Sequence, residues 1–444
     1  MRSRPFALAV LAVGLFSLAT PARGLVFRGA LDTPGRALGL DVVGEFAYVA
    51  DGPAGLRIID LSAPDAPVEV GSLALPDWTQ GVTVVGHLAY VANDDLVRVI
   101  DVSDPTAPVQ VGIFDTPGSA NHVEVVGNLA YVADGAAGLR ILDVSNPAAP
   151  VAVGSFATPG FAHAVRVSGT LAYVAAGSFG LRVLNVANPA APTSVRVYNS
   201  PGDSTGLQVS GTLVHLADGS AGLRIVDVAP FPVAVLGIFD PPESSTYYTR
   251  YARDVEVVGT LAYLAGVDSG PYGASGWLRV VDVSDPASAF ETDLVWASSS
   301  LYYSSFDAVE VNGPFVIVAA SEIGLRIYNA SAVCSDGLDD DGDGLVDFPD
   351  DPGCFDADSD LEDPHCQDGI DNDGQLGTDF DGGASVLGSG NADPDGPDPQ
   401  CVDKPWKQKE GGGGCGLGFE LAPVLGLLAW RRRSRAQRLA GRAR

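Results

Sequence analysis

Between residues 25 and 332, apolar and polar positions alternate in bursts of five to seven residues, each broken by Gly, Asp, Asn or Pro. GNLAYVAD (127–134) followed by LRILD (139–143) is representative, with two period-two runs separated by a Gly-containing turn. Alternation of this length predicts short β-strands joined by tight turns. Helical spacing of apolar residues is absent from the region, so the pattern predicts an all-β fold.

The pattern is periodic. The pentads LRIID (56–60), VRVID (97–101), LRILD (139–143), LRVLN (181–185), LRIVD (223–227), LRVVD (278–282) and LRIYN (325–329) align without gaps. Their Arg residues, 57, 98, 140, 182, 224, 279 and 326, are spaced by 41, 42, 42, 42, 55 and 47 residues. A period near 42 with about four strands per unit is that of propeller blades, and seven copies predict seven blades. The seventh unit stops after LRIYNAS (325–331) without an outer strand. LVFRGALDTPG (25–35) matches such a strand with no unit before it. Residues 25–31 are therefore expected to complete blade seven and remove an open sheet edge. The pentad Arg falls on the third strand, away from the channel, and reads as a structural ion-pair partner between blades rather than an anion-binding ring.

On these pentads, the region resembles the LVIVD-repeat family, secreted β-propellers of bacteria and archaea. The resemblance implies a surface or secreted seven-bladed propeller and no particular activity.

Charge divides the chain further. The formal net charge is −29. Residues 25–332 hold 31 acids against 13 Arg, and residues 333–401 hold 20 Asp and one Glu with no Lys or Arg. Nucleic acid is excluded as a partner, because phosphate binding needs clustered Lys and Arg. In CSDGLDDDGDGLVDFPDDPGC (334–354), Asp339, Asp341 and Asp343 alternate before Gly344, and Asp347 and Asp350 follow. Alternate Asp side chains on a turning loop supply the clustered oxygens that Ca²⁺ prefers. CQDGIDNDGQLGTDFDGG (366–383) offers a second set, Asp371, Asp373 and Asp379, with Asp381 beyond. With no helical sequence around them, these loops resemble thrombospondin type 3 repeats or dockerin-like calcium loops. Cys334, Cys354, Cys366 and Cys401 allow three pairings, of which Cys334–Cys354 with Cys366–Cys401 encloses one loop each. Residues 333–410 are thus expected to form a small module held by disulfides and Ca²⁺, since apolar residues there are too few for a core.

The ends carry an address. Arg2 and Arg4, the apolar run 6–19 and Ala22-Arg23-Gly24 make residues 1–24 a signal peptide. Residues 411–444 comprise a Gly-rich spacer with Cys415, the short apolar segment 416–430 and RRRSR (431–435). This order resembles the MYXO-CTERM and PEP-CTERM sorting signals. The resemblance implies transient membrane attachment, removal of the tail by a sorting peptidase, processing at Cys415, and export to the cell surface or outer envelope.

Candidate binding residues gather on one face. The starts of the inner strands, Leu38, Gln80, Asn121, His163, Thr205, Arg253 and Asp307, predict a polar ring at one lip of the channel. The blade-six turn 266–276 and the connections 241–254 and 296–307 are longer than their counterparts, and are expected to be loops. They carry Tyr247, Tyr248, Tyr251, Tyr272, Tyr302 and Tyr303 beside Arg253, an amphipathic surface suited to a protein or glycan ligand. No catalytic residue is assigned, because the lip offers no nucleophile–base pair. The expected function is a monomeric, surface-displayed binding module. A secreted hydrolase or quinone-dependent dehydrogenase with its site at the lip, or a passive envelope protein, are the alternatives.

Overall fold

The computed structural model describes residues 25–241, 248–271, 273–297 and 304–330. They form seven antiparallel four-stranded sheets. Blade one runs Gly39–Val43, Phe46–Ala50, Leu56–Asp60 and Val68–Leu73 from the inner to the outer strand. Blades two to five repeat this order, starting at Thr79–Val85, His122–Val126, Ala164–Ser168 and Gly206–Ser210. Blade six begins at Thr249–Val258, and blade seven contains Ala308–Asn312, Phe315–Ala319 and Leu325–Asn329. Each pentad is a third strand, as the sequence predicts.

Strand alternation makes every blade two-faced. In Phe46–Ala50, Tyr48 and Ala50 pack toward blade two with Val82, Val84 and Val91. Ala47 and Val49 pack the other way, with Ile317 and Ala319 of blade seven. Each fully buried Leu, Ile or Val on these faces contributes about 1.5–3 kcal/mol. No blade can bury both faces alone, so the blades stabilise one another only as a ring.

Close approach at the rim requires glycine. In the outer strand of blade two, a Cβ on Gly112 would lie 1.9 Å from the Pro147 carbonyl oxygen of the next blade. The corresponding position in blade four is Arg196, and there the next blade presents Phe231, with the guanidinium 5.6 Å from its ring centre. The pentad Arg residues find their charged and polar partners within their own blade rather than across to the next, and Nε of Arg57, Arg140 and Arg279 is buried without a hydrogen bond among the described residues. Arg57 meets Asp51 at 3.4 Å and Glu69 at 3.2 Å, Arg98 donates to Asn93 at 2.7 Å and Gln110 at 2.8 Å, and Arg279 pairs with Glu291. Their role is structural: each guanidinium has a carboxylate, amide or carbonyl beside it, most loosely at Arg140, 4.0 Å from Asp134.

Blade six departs from expectation. The segment expected as a long turn is an extended hairpin, with Leu261–Gly270 and Gly273–Asp282 paired down to Gly270↔Gly273. Much of the connection expected before it is also strand, since Thr249–Val258 pairs along its length with a bulge at Ala252/Asp254. Gly and Ser read as turn residues in the sequence. Here, cross-strand pairing over ten residues outweighs their weak strand propensity. Residues 1–24, read as a signal peptide in the sequence, Tyr247, Tyr272, Tyr302, Tyr303, the Asp and Cys residues of 333–410 and the segment 411–444 with Cys415 lie outside the described residues.

The ring closes as the sequence predicts. Val26–Leu31 is the outer strand of blade seven, antiparallel to Leu325–Asn329 and in register from Val26↔Asn329 to Leu31↔Leu325 around a bulge at Phe27/Gly29. The Leu25 amide donates to Asp293 of blade six, and Arg28 donates to Asp65 of blade one at 2.9 Å. The first strand of the domain thus touches both neighbours of the blade it completes. Deleting residues 25–31 is expected to expose Leu325–Asn329 as an unpaired edge, lowering the melting temperature and producing aggregation by light scattering. An unshifted melt of soluble deletion protein would contradict this role.

Candidate binding site

The seven residues that open the inner strands converge. Leu38, Gln80, Asn121, His163, Thr205, Arg253 and Asp307 line one cavity of about 430 Å³ at a mouth of the channel. The blade-six extension adds Thr249, Tyr251, Val267 and Ser269 to its wall. Two of the ring residues also join blades: Asn121 Nδ2 donates to the Ala162 carbonyl at 2.9 Å, and Thr205 Oγ1 to the Arg253 carbonyl at 2.8 Å. His163 lies against Phe161, ring centres 4.9 Å apart, and burial lowers its pKa, which favours the neutral imidazole.

One side of the mouth is organised by charge. The Tyr251 hydroxyl donates to Asp203, and burial together with that carboxylate pushes the phenol pKa up. The Arg253 guanidinium lies 5.4 Å from the Tyr251 ring centre, with Nε 3.3 Å from Asp307. Asp307 also accepts from Ser305 Oγ at 2.6 Å. The pairing strand of blade six therefore places Tyr251 and Arg253 in the cavity wall. Tyr248 packs instead near the hairpin tip, where a Cβ on Gly270 would meet its ring at 2.6 Å. Of the tyrosines singled out in the sequence, the described ones are thus divided: Tyr251 lines the cavity, and Tyr248 braces the hairpin beside it.

A second ring, three residues further along each inner strand, escaped the sequence reading. It comprises Asp41, Thr83, Glu124, Arg166, Gln208, Glu256 and Glu310. Its signal was present: one polar residue sits between two apolar ones in every inner strand, as in VEV (123–125) and VRV (165–167). Several of these side chains stitch adjacent blades together. Asp41 accepts from the Val84 amide at 2.5 Å, Thr83 donates to the Val123 carbonyl at 2.5 Å, and Gln208 donates to Glu256 at 2.9 Å. Asp254, between the two rings, accepts from the Val309 amide at 3.2 Å. Arg166 lies 3.6 Å from Glu124 and 2.7 Å from His122 Nε2. Neutral His122, its pKa depressed by desolvation and by Arg166, is the acceptor in that contact. Among the described residues no three acidic, His or Cys side chains converge with metal-ligand geometry.

Five carboxylates thus share one guanidinium. Desolvation raises Asp41, Glu124 and Asp254, raises Glu310 well above the usual range with Glu256 adding to it, and pushes Glu256 up to about 7. A carboxyl whose pKa is higher in the folded than in the unfolded chain contributes most below its unfolded value and loses that contribution as pH rises through the folded one. Buried His122, His163 and His215, all lowered, act in the opposite sense below about pH 6.5. The clean measure is therefore a difference between proteins. Glu256→Gln, which keeps an oxygen for Gln208, is expected to stabilise the fold at pH 8 by up to about 3 kcal/mol. The gain should shrink through pH 7 and vanish near pH 4.5 in parallel urea titrations. A pH-independent difference would show that Glu256 does not titrate in this way.

Comparison with known proteins agrees with the geometry. No curated protein matches the sequence. Among solved structures, the computationally designed Ika8 protein is similar in fold, with a TM-score of 0.50 and 8% identity, covering 68% of this chain and 99% of the designed one. At that identity the likeness concerns fold alone. The profile of the LVIVD repeat matches residues 34–74, 78–116, 117–158, 159–200, 201–230 and 249–294, more than half of the chain. Each matched stretch begins at or just before an inner strand, one for each of blades one to six, the fifth ending before the outer strand Ala234–Phe239. Blade seven, split between the two ends of the domain, is the unit these matches leave out. A seven-bladed β-propeller whose blades are these repeats, the chain belongs to the LVIVD repeat family.

Proposed function

We infer that the protein is an exported, surface-displayed binding module, taking a protein or glycan ligand at the channel mouth bordered by blade six. The observation that carries this reading is the asymmetry of the ring. Three ten-residue strands raise one wall beside a polar cavity of about 430 Å³. A lengthened, paired hairpin is a rigid support for contact residues, and recognition elements commonly sit on such extensions. Tyr247, Tyr248, Tyr272, Tyr302 and Tyr303, with Tyr251 and Arg253, supply rigid amphipathic contacts. Residues 1–24 and the Arg-ended tail support export and display. The alternating Asp residues of 334–354 support structural Ca²⁺ in the Cys-framed segment.

Replacing Tyr247, Tyr302 and Tyr303 by Ser is expected to lower binding to cell-envelope and glycan arrays at least tenfold, with the melting temperature nearly unchanged. Adding Tyr248→Ser should also loosen the hairpin it braces and lower the melting temperature. Retained binding would move the site to the channel lip or the opposite face.

Calorimetry on the oxidised chain should give a Ca²⁺ signal that Asp341→Ala weakens. Calcium at ~100 times its dissociation constant would stabilise the segment by about 2.7 kcal/mol. Absence of heat at millimolar Ca²⁺ would remove the metal from this account.

A further inference from the structure

The chemistry of the ligand can be narrowed from the two levels of charge in the channel, taking the mouth as the binding site proposed above. At the upper level, Arg253 holds one open fork. Its Nε faces Asp307 at 3.3 Å and its plane lies against Tyr251, while Nη1 and Nη2 have no partner among the described residues. The side chain is 41% accessible. Tyr251 is itself anchored by Asp203, so the fork is held in place before any ligand arrives. A planar, fixed pair of N–H donors suits a carboxylate bound through both oxygens.

The lower level opposes a simple anion. The cavity continues downward into a space of about 210 Å³ lined by Asp41, Glu124, Asp254 and Glu310 around Arg166. Glu310 has no hydrogen-bond or ion-pair partner among the described residues. A ligand carrying only negative charge would gain one guanidinium at the mouth and meet below it only Arg166, which Glu124 and His122 already engage. A ligand carrying only positive charge would meet Arg253 on entering. Asp307 lies between the levels, and each of its oxygens is engaged once, by Arg253 Nε or by Ser305 Oγ. A carboxylate has about four acceptor positions, so room remains for an ammonium.

The geometry points to a ligand headgroup that carries a carboxylate and a protonated amine on one carbon, an α-amino-acid head, either free or displayed at the end of a larger molecule. The carboxylate sits on the Arg253 fork. The ammonium turns toward Asp307. Leu38 and Val267 offer apolar wall to the remainder. Such a head is electrically neutral overall, so it escapes the long-range repulsion of a propeller with 31 acids against 13 Arg.

Titration calorimetry on the full chain at pH 7 tests this with L-leucine, N-acetyl-L-leucine and L-leucinamide, which carry both charges, the carboxylate alone and the amine alone. Leucine is expected to bind at least tenfold more tightly than either derivative. Arg253→Lys, which keeps the charge and loses the fork, should weaken leucine about tenfold, and Arg253→Gln should abolish the signal. Asp307→Asn should weaken leucine while leaving N-acetyl-L-leucine unaffected. Nε-acetyl-L-lysine separates the two sources: binding tighter than leucine marks a displayed head, and weaker binding marks a free amino acid. Melting curves establish that each variant is folded. The assignment is overturned if folded protein gives no heat with 10 mM leucine, if the singly charged derivatives bind equally well, or if folded Arg253→Lys binds as the parent does. Array ligands that bind at blade six without competition from leucine would overturn this headgroup and leave the binding-module reading intact. Leucine binding with no array ligand would do the reverse.

Discussion

Everything in this fold depends on closing the ring. A propeller blade is apolar on both faces, as Tyr48 and Ala50 against Ala47 and Val49 show, and it can bury them only between two neighbours. An open row of seven would leave two apolar faces in water. The protein meets this constraint by using its first strand last: Val26–Leu31 completes the sheet begun by Ala308–Asn312. Because that pairing joins residues some 300 positions apart, the ring acts as one cooperative unit. Contacts such as Asn312 Nδ2 to the Gly44 carbonyl at 2.8 Å add side-chain bonds between the completed blade seven and blade one.

The channel shows what the ring can tolerate once it is closed. Five carboxylates and one guanidinium in a narrow, desolvated space cost stability, and apolar substitutes would pack at less expense. Part of that cost is offset by using the same groups as cross-links, Asp41 to Val84 and Asp254 to Val309 among them. Glu310 makes no such link, and burial favours its neutral form, so it carries cost without adhesion. As pH rises and these carboxyls ionise beneath a mouth that presents Arg253, a gradient of potential builds along the channel axis, which orients any dipolar molecule entering it.

Much of the fold was legible because its determinants are local and repeated. Seven pentads, a period near 42 and a missing outer strand need no tertiary information. The mouth ring was legible for the same reason, since position within a repeat fixes position around the channel. Blade six was read less well. GVDSGPYGASG (266–276) is full of residues that favour turns, yet Val267 and Ser269 face a partner strand at every step, and pairing prevails over propensity. The lower ring was overlooked because Asp41 or Glu124 in isolation looks like the solvent-facing residue of an alternating strand. Only convergence of seven inner strands turns those positions inward. The open fork of Arg253 could not be read at all, since it depends on Tyr251, Asp203 and Asp307 arriving from three different blades.

The closing strand also sets how the domain bears tension. The chain continues from Ala330, so a pull on that continuation acts on Leu325–Asn329. This strand is flanked on both sides, by Phe315–Ala319 and by Val26–Leu31. A force directed along it must shear two ladders of hydrogen bonds together, whereas a strand at a sheet edge peels away one bond at a time. Load arriving through the chain beyond Ala330 therefore falls on a strand paired on both sides, and extraction from that end requires both ladders to fail together.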